Sequence, residues 1–358
     1  MQAPLVERMA SELTSLSLIP DSDLSTADTW LWHIWQQELE LDLLQDIIHT
    51  EDWRPASQLI PLLTGCQTLY QYQLHQKETI RKTLLDFELQ LYQEVMQRIQ
   101  EQKLGYCQGS TAILHYFLSN QTSTPHIKEM QHRLLSQLCR HWLPIGSEPV
   151  TDLTLESGYA GYILLLVRLL MKSQASPALT QHQGTLMKII DQYIYYLYAH
   201  QLDINTMQNQ NALFPVQVSD SEWVTSDTLS WSAGDLIQIL VLYEVGQLQK
   251  RRELIKWADR LAGFILSQRM HMQKQSDSLC MGLTDGIAGL VLFYRHLHSL
   301  TQQERFFKEG SFWLGELWQR YIREQSNEDN SLLTGNLGVY AAIRQWTMGN
   351  LNTSLLFL

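Results

Sequence analysis

A short glycine-bearing segment between two helical patterns recurs six times along this chain of 358 residues. The first glycines of these segments are Gly65, Gly109, Gly158, Gly234, Gly286 and Gly335. Successive first glycines lie 44, 49, 76, 52 and 49 residues apart. A nearly constant period of this size indicates stacked supersecondary units, each too small to bury its own apolar face.

Helical patterns of two kinds flank the glycines. Ahead of them, apolar residues recur at three- and four-residue spacing opposite a charged face. These amphipathic stretches are residues 86–100, 127–143, 186–198, 254–266 and 306–318. The stretches after the glycines, such as residues 162–170, are apolar nearly all round, which is typical of helices buried on every side. We therefore predict an all-α fold, an α/α toroid in which roughly six or seven helical hairpins form an outer and an inner ring.

The pattern also predicts how the chain is divided. Residues 1–60 form a polar N-terminal helical extension, and residues 61–358 form the toroid. No strand pattern competes with the helical one. The longest interval between glycine segments ends in the irregular residues 211–228, where we expect a loop that reaches over the glycine-turn end of the barrel.

Composition and charge exclude several function classes. The net charge of −11 argues against nucleic-acid binding, which requires concentrated Lys and Arg, and no apolar run is long enough for a transmembrane segment. The four cysteines are not in CxxC pairs, so we expect reduced thiols rather than a disulfide framework. The first residues show no signal-peptide pattern, and we predict a cytoplasmic protein.

Carboxylates and aromatic residues gather in or beside the glycine segments. The carboxylates are Asp152, Glu156, Asp227, Asp235 and Asp285, and the aromatic residues that could line a groove are Tyr106, Tyr159 and Trp231. Toroids of this kind also host glycosidases, which use two carboxylates, so a hydrolase acting through Asp235 and Asp285 is one alternative. Capping of the inner-helix starts by these two residues is the preferred interpretation.

At its glycine segments the sequence resembles the lanthionine synthetase C-like family, whose active members close thioether rings in ribosomally made peptides. The resemblance covers roughly residues 60–358 and is firmest in residues 226–236, 278–290 and 331–343. It implies that two Cys and one His hold Zn²⁺, which activates a substrate cysteine for attack on a dehydrated residue. It also implies that a nearby His handles the enolate proton.

This chain departs from that pattern at every mapped position. The three zinc positions are occupied by Ser232, Thr284 and Asp285. The proton-handling His is replaced by Ser157, the Tyr after the first zinc ligand by Ala233, and the Arg four residues before that ligand by Thr228. None of the twelve histidines falls at a ligand position. Because hydroxyls are poor zinc ligands, we expect that zinc has been lost and that no cofactor remains.

Two nearby cysteines do not restore the site. Cys280 precedes the Gly286 segment, and we expect its side chain to point into the outer-helix layer. Cys107, just before Gly109, is best interpreted as a small core residue, with a lumen-facing thiol as the alternative.

The sequence therefore predicts a zinc-free pseudoenzyme associated with lanthipeptide biosynthesis. Its expected partner is a precursor peptide or a dehydratase-type modification enzyme. The candidate substrate-binding residues are Tyr159, Trp231, Ser232, Asp235, Thr284 and Asp285. An active thioether cyclase with unusual ligands stays open as an alternative, as does the hydrolase.

Overall fold

Helices make up most of the described chain in the computed structural model. The structure describes residues 31, 41–50, 52–71, 78–103, 105–106, 110–119, 125–142, 144–172, 177–202, 212–226, 230–267, 279–323 and 331–348. The helices within these ranges are α1 Leu41–Thr50, α2 Ala56–Gln71, α3 Glu78–Gln100, α4 Thr111–Ser119, α5 Pro125–Arg140, α6 Tyr159–Lys172, α7 Pro177–Ala199, α8 Asp235–Leu248, α9 Arg252–Ser267, α10 Ile287–Thr301, α11 Glu304–Arg323 and α12 Asn336–Met348.

The predicted helical stretches are confirmed. The five amphipathic ones lie in α3, α5, α7, α9 and α11, although α5 ends at Arg140 rather than at residue 143. Among the described helices, none is both long and apolar enough to cross a bilayer.

The chain forms two compact units. The first comprises Met1–Thr68, Leu229–Trp231 and Gln268–Leu358, and it contains α10, α11 and α12. The second comprises Leu69–Thr228 and Ser232–Ser267, and it contains α3 to α9. The predicted domain boundary after residue 60 stays a prediction.

The glycine turn predicted at Gly65 is wrong. Gly65 lies inside α2, which continues through Pro61, and the Thr64 hydroxyl donates to the Ile60 carbonyl 2.8 Å away as it does in a regular helix. This segment lacks the second glycine three residues later that marks three of the other turns, since Thr68 stands there. A single glycine weakens a helix by only about 1 kcal/mol, so buried apolar neighbours hold this one helical.

The irregular loop expected at residues 211–228 contains two short strands, while the predicted all-α class holds. Strands β1 Val150–Asp152, β2 Gln217–Ser219 and β3 Trp223–Val224 form a small antiparallel sheet in the order β1-β2-β3. Val150 pairs with Ser219, and Val218 pairs with Trp223. The stretch expected to be an irregular loop contains the hairpin of β2 and β3. The sequence does not predict it, because strands of two or three residues leave almost no alternation.

The apolar helices are buried within their units. Every residue of α8 from Leu236 to Gly246 is buried, and α8 packs against α6 and α9. In the other unit, α10 packs against α11 and α12. A charged pair joins α6 and α8 in the interior of the second unit. Arg168 donates from Nη2 to Glu244 at 2.8 Å and from Nε at 3.3 Å. The Glu244 side chain is only 3% exposed, so this pair fixes the two helices against each other.

Backbone hydrogen bonds join consecutive glycine turns in the same way in both units. In the second unit, the amide of Leu155 donates to the Ser232 carbonyl at 2.7 Å. In the first unit, the amide of Leu283 donates to the Leu333 carbonyl, also at 2.7 Å. Each donor stands three residues before a first glycine, and each acceptor stands two residues before the next. The turns are therefore structurally equivalent repeats, as the period predicts.

Glycines ahead of two turns allow the backbones of consecutive turns to approach closely. A Cβ atom added at Gly105 would lie 2.4 Å from Cα of Ser157, and one added at Gly282 would lie 2.4 Å from Cα of Thr334. Gly105 and Gly282 each stand four residues before a first glycine. Because the neighbours are backbone atoms, no side-chain rotation could relieve the clash.

Removing one partner of the buried ion pair should destabilise the protein strongly. We expect Glu244→Ala to lower the free energy of unfolding by about 3–5 kcal/mol, since Arg168 would be left with an uncompensated buried charge. The double variant Arg168→Met with Glu244→Leu should recover much of that loss. Urea denaturation followed by circular dichroism measures both, and Glu129→Ala, which breaks an exposed pair with Arg133, should leave the midpoint nearly unchanged. Equal midpoints for Glu244→Ala and Glu129→Ala would contradict this assignment.

Two glycine substitutions should have opposite effects. We expect Gly282→Ala to lower the free energy of unfolding by about 1–3 kcal/mol, because the new Cβ meets backbone atoms. Gly184→Ala, in α7 with no atom within 4 Å of the new Cβ, should raise it by up to about 1 kcal/mol through its lower chain entropy. Thermal unfolding curves provide the comparison, and a stabilising Gly282→Ala would show that the turns can separate without cost.

Candidate functional site

Trp231, predicted as a substrate-binding candidate, is buried in the packing of the first unit. Its indole nitrogen donates to the Leu283 carbonyl at 2.6 Å, and its side chain is 1% exposed. A Cβ atom added at Gly289 would lie 2.2 Å from that nitrogen, so glycine at this position leaves room for the ring. Trp231 thus packs against the Gly286 turn of the same unit, and its role in peptide binding stays a prediction.

Thr284 and Asp285, in the Gly286 turn, occupy the positions that the family resemblance assigns to two zinc ligands. The Thr284 amide donates to the Leu333 carbonyl at 3.1 Å, and its hydroxyl donates to the same oxygen at 3.4 Å. The Asp285 carboxylate accepts a hydrogen bond of 2.9 Å from the Ser230 hydroxyl. Both side chains therefore take part in hydrogen bonds that connect neighbouring turns of this unit.

Ser232 and Ala233 belong to the second unit. Ser232 is 2% exposed, and its carbonyl accepts the hydrogen bond from Leu155 that joins two turns. Ala233, at the position of the family's Tyr, is half-buried. The contribution of Ser232 to the turn is made by its backbone, which any residue type could supply.

Asp152 organises the Gly158 turn. Its Oδ1 accepts from the Thr154 amide at 2.8 Å and from the Thr154 hydroxyl at 2.6 Å. The Thr154 hydroxyl in turn accepts from the Ser157 amide at 3.2 Å. Ser157, at the position of the proton-handling His, is exposed, while Tyr159 is buried. These bonds form an Asx-type turn that leaves the Ser157 side chain at the surface.

The capping role predicted for Asp235 is wrong. Its carboxylate does not serve its own helix end but accepts from the amides of Leu213, at 2.8 and 2.9 Å, and Phe214, at 2.8 Å. Desolvation by burial raises the pKa of Asp235 to about 7, although these two amides act in the opposite direction. Both carboxylate oxygens are engaged, so the side chain holds a distant segment in place, and the hydrolase role of Asp235 stays a prediction.

The residues at the zinc positions do not fit zinc. Two of them carry hydroxyls and one carries a carboxylate, whereas zinc sites use thiolate and imidazole with at least three convergent protein ligands. In the part of the chain that the structure describes, no three His, Cys, Asp or Glu side chains are grouped so that they could hold a metal ion. Cys280 is exposed, and its carbonyl accepts from the Ile287 amide at 3.0 Å.

Three predicted candidates lie outside the described residues, and a fourth is only partly exposed. Asp227, Thr228 and Cys107 are outside the described ranges. Glu156 is described and half-buried. The mapped position of the family's Arg therefore stays a prediction.

Sequence reasoning missed a group of aromatic rings in the second unit, around the sheet and the end of α7. Trp142, Tyr196, His200 and Trp223 were not among the candidates. The available signal was the absence of Lys and Arg from residues 141–160, 189–202 and 212–226, which are rich in aromatic residues. No helical period relates these segments, so their proximity could not be read from the repeats.

The raised pKa of Asp235 implies that the free energy of unfolding depends on pH. The folded state keeps this proton up to about pH 7, whereas the unfolded chain releases it near 3.8. Between these values the free energy of unfolding should fall as pH rises, by up to about 1.4 kcal/mol per pH unit. Asp235→Asn should remove this contribution, which urea unfolding of both proteins at several pH values measures. Parallel profiles for the two proteins would contradict it.

Comparison with known proteins agrees with this architecture. A family model described as "Lanthionine synthetase C-like protein" matches residues 67–345. Among solved structures, nisin cyclase is similar with a TM-score of 0.67 and 12% sequence identity, over 99% of this chain and 97% of that chain. No curated protein matches the chain.

The structural likeness, at this low identity, concerns the fold alone. It confirms the predicted α/α toroid class, since the match extends over nearly the full length of both chains. The family model spans well over half of the chain. The protein therefore belongs to the lanthionine synthetase C-like family.

Proposed function

We propose that this protein is a zinc-free pseudoenzyme of the family, which binds a precursor peptide or a partner dehydratase during lanthipeptide maturation. In this role it keeps the peptide-binding frame and performs no ring closure. We place its action in the cytoplasm, since its four cysteines are widely spaced in the sequence and lack the pattern of a secreted disulfide framework.

The preserved turns support the binding role. Equivalent backbone hydrogen bonds join consecutive turns in each unit, as described for Leu155 and Leu283. The turns also present hydroxyls at the surface, with Ser157 in one unit and Thr334 in the other. Ser157 and Thr334 stand at equivalent positions, one residue before a first glycine. Exposed hydroxyls on rigid turns can donate to and accept from a peptide backbone.

One observation carries the proposal: the side chains at two zinc positions are engaged in hydrogen bonds within the turns. Thr284 donates to a carbonyl, and Asp285 accepts from Ser230. A metal would have to displace these hydrogen bonds. The hydroxyl and carboxylate oxygens would then be weaker zinc ligands than the family's thiolates. The turns thus have a use for Thr284 and Asp285 that does not involve metal.

The chemistry of ring closure also argues for a binding role. An ordinary cysteine thiol has a pKa near 8.5, so at neutral pH it is mostly protonated and needs activation to attack a dehydrated residue. The mapped position for proton transfer carries Ser157, whose hydroxyl does not titrate in the physiological range. Peptide held at these turns would therefore be bound but not cyclised.

Metal and activity measurements test the proposal together. Protein produced in zinc-supplemented medium should contain far less than one equivalent of zinc by elemental analysis. Incubated with a dehydrated, cysteine-bearing precursor peptide, it should leave the count of free thiols equal to that in a protein-free control. An active cyclase of the family serves as the positive control, and stoichiometric zinc or a loss of thiols would overturn the pseudoenzyme assignment.

The binding partner is tested separately. A precursor peptide and a dehydratase of a lanthipeptide system should each be titrated against the protein by calorimetry. We expect at least one of them to bind with a dissociation constant in the micromolar range or tighter, about −8 kcal/mol. Absence of heat with both partners would contradict the scaffold role.

A further inference from the structure

Five rings of the second unit form two contacting groups, Trp142 with Tyr159 and Tyr196 with His200 and Trp223, which together we call the aromatic arc. Trp142 meets Tyr159 edge to face at 5.8 Å between centroids. Tyr196 stacks on His200 at 4.1 Å, and His200 meets Trp223 at 5.0 Å. Tyr159 and Tyr196 are electrostatic neighbours, since Tyr196 and Glu148 add to the effect of burial in raising the pKa of Tyr159 to about 12.

The rings of the arc are held in fixed orientations. Trp142 stacks on Tyr162 at 5.3 Å, and its indole nitrogen donates to Gln192 at 3.3 Å. Tyr196 packs against Gly146, where an added Cβ would lie 2.8 Å from the ring and where φ is +83°. The Nδ1 atom of His200 lies 2.8 Å from the Tyr196 carbonyl. Such a surface loses little conformational entropy when a ligand binds.

One end of the arc is open to solvent. Trp223 is 44% exposed although it is a large aromatic residue, and its neighbour Val224 is also exposed. Val150, on the other edge strand of the sheet, is exposed as well. Tyr195 and Tyr198 of α7 are the most exposed large apolar side chains among the described residues, at 76% and 72%. An exposed aromatic side chain such as Trp223, next to exposed apolar residues of the same small sheet, indicates an interaction surface.

Acidic residues predominate in the segments that carry the arc, although Arg251 lies 3.5 Å from Asp191. These segments, residues 141–160, 189–202 and 212–226, contain six Asp or Glu and no Lys or Arg. The acidic residues are Glu148, Asp152, Glu156, Asp191, Asp220 and Glu222. Asp220 and Glu222 are exposed at the turn between β2 and β3. They stand three residues and one residue before Trp223 in the chain. An aromatic face next to carboxylates favours a cationic side chain, which gains from the ring faces and from the charges.

We propose that the aromatic arc and the carboxylates at the β2–β3 turn bind a Lys- or Arg-bearing segment of a peptide. A cationic head lies over the exposed face of Trp223 with Glu222 and Asp220 beside it, and the aliphatic stem of the side chain covers the ring. The proposal deepens the proposed function and rests on it, because it names the chemistry of the peptide that the protein holds. The arc lies in one unit and is distinct from the side chains at the zinc positions.

Fluorescence anisotropy with two labelled peptides tests this proposal. The first probe is a short Gly-Ser peptide with interspersed lysines and arginines, and the second has glutamate at each of those positions. The full-length protein should bind the cationic probe and not the acidic one. Binding should weaken as salt concentration rises, since the charges involved are exposed to solvent.

Three variants separate the arc from a general charge effect. Glu222→Lys and Trp223→Ala should each weaken binding of the cationic probe by about 3- to 10-fold. Asp86→Lys makes the same change of net charge on an exposed residue of α3 and should leave affinity within about twofold of the parent protein. Circular dichroism spectra should be unchanged in Glu222→Lys, whose backbone bonds to Ser219 do not involve its side chain.

Each other outcome overturns the arc as the binding surface. Equal weakening by Glu222→Lys and Asp86→Lys would show that only net charge matters. A dimer that dissociates on Trp223→Ala, seen by analytical ultracentrifugation, would show that a second copy covers this surface instead. Failure of the cationic probe to bind would overturn the proposal while leaving the scaffold role intact, because that role is measured by the precursor and dehydratase titrations.

Discussion

The approach of one turn's backbone to that of the next is the contact on which the remaining structure depends. At Gly105 and Gly282 an added Cβ would lie 2.4 Å from the following turn, so only glycine permits this spacing. At that spacing the amides of Tyr106 and Leu283 reach carbonyl oxygens of the next turn. The helices that follow are then placed side by side, and their apolar residues are buried between them. The spacing of the turns is therefore set by glycines and backbone hydrogen bonds, independently of the side chains at the zinc positions.

This independence explains how a chain can keep the fold of the family while its metal positions change. Ser232 contributes a carbonyl, which the family's cysteine at the same position would supply equally well. Thr284 and Asp285 add hydrogen bonds with their side chains, so the turns lose no stability by carrying them. Proteins whose folding depends on zinc would not tolerate such replacements. For the proposed pseudoenzyme, the residues at the zinc positions are therefore compatible with a stable fold.

The sequence predicts the repeat well because glycine spacing and helical period are properties of neighbouring residues. It fails where residues far apart in the chain decide the structure. Gly65 lies in a helix since its buried neighbours outweigh the weak propensity of one glycine. The hairpin leaves no recognisable pattern in the sequence because its strands are two or three residues long. Asp235 was expected to cap its own helix, but its partners are amides 21 and 22 residues earlier in the chain, and no local pattern marks them.

The same long-range contacts connect the turns to the aromatic arc. Asp235, at the start of α8, holds the amides of Leu213 and Phe214. Two residues later, Val216 donates to the Val224 carbonyl of β3, beside Trp223. The position of Trp223 against His200 thus follows from a carboxylate at a glycine turn, through a few residues of chain. A peptide bound by the arc would meet a surface already ordered by the helical frame, so its binding free energy would not be spent on ordering the protein. The helices and glycine turns of the frame can in this way position a docking surface, which is what the proposed scaffold requires.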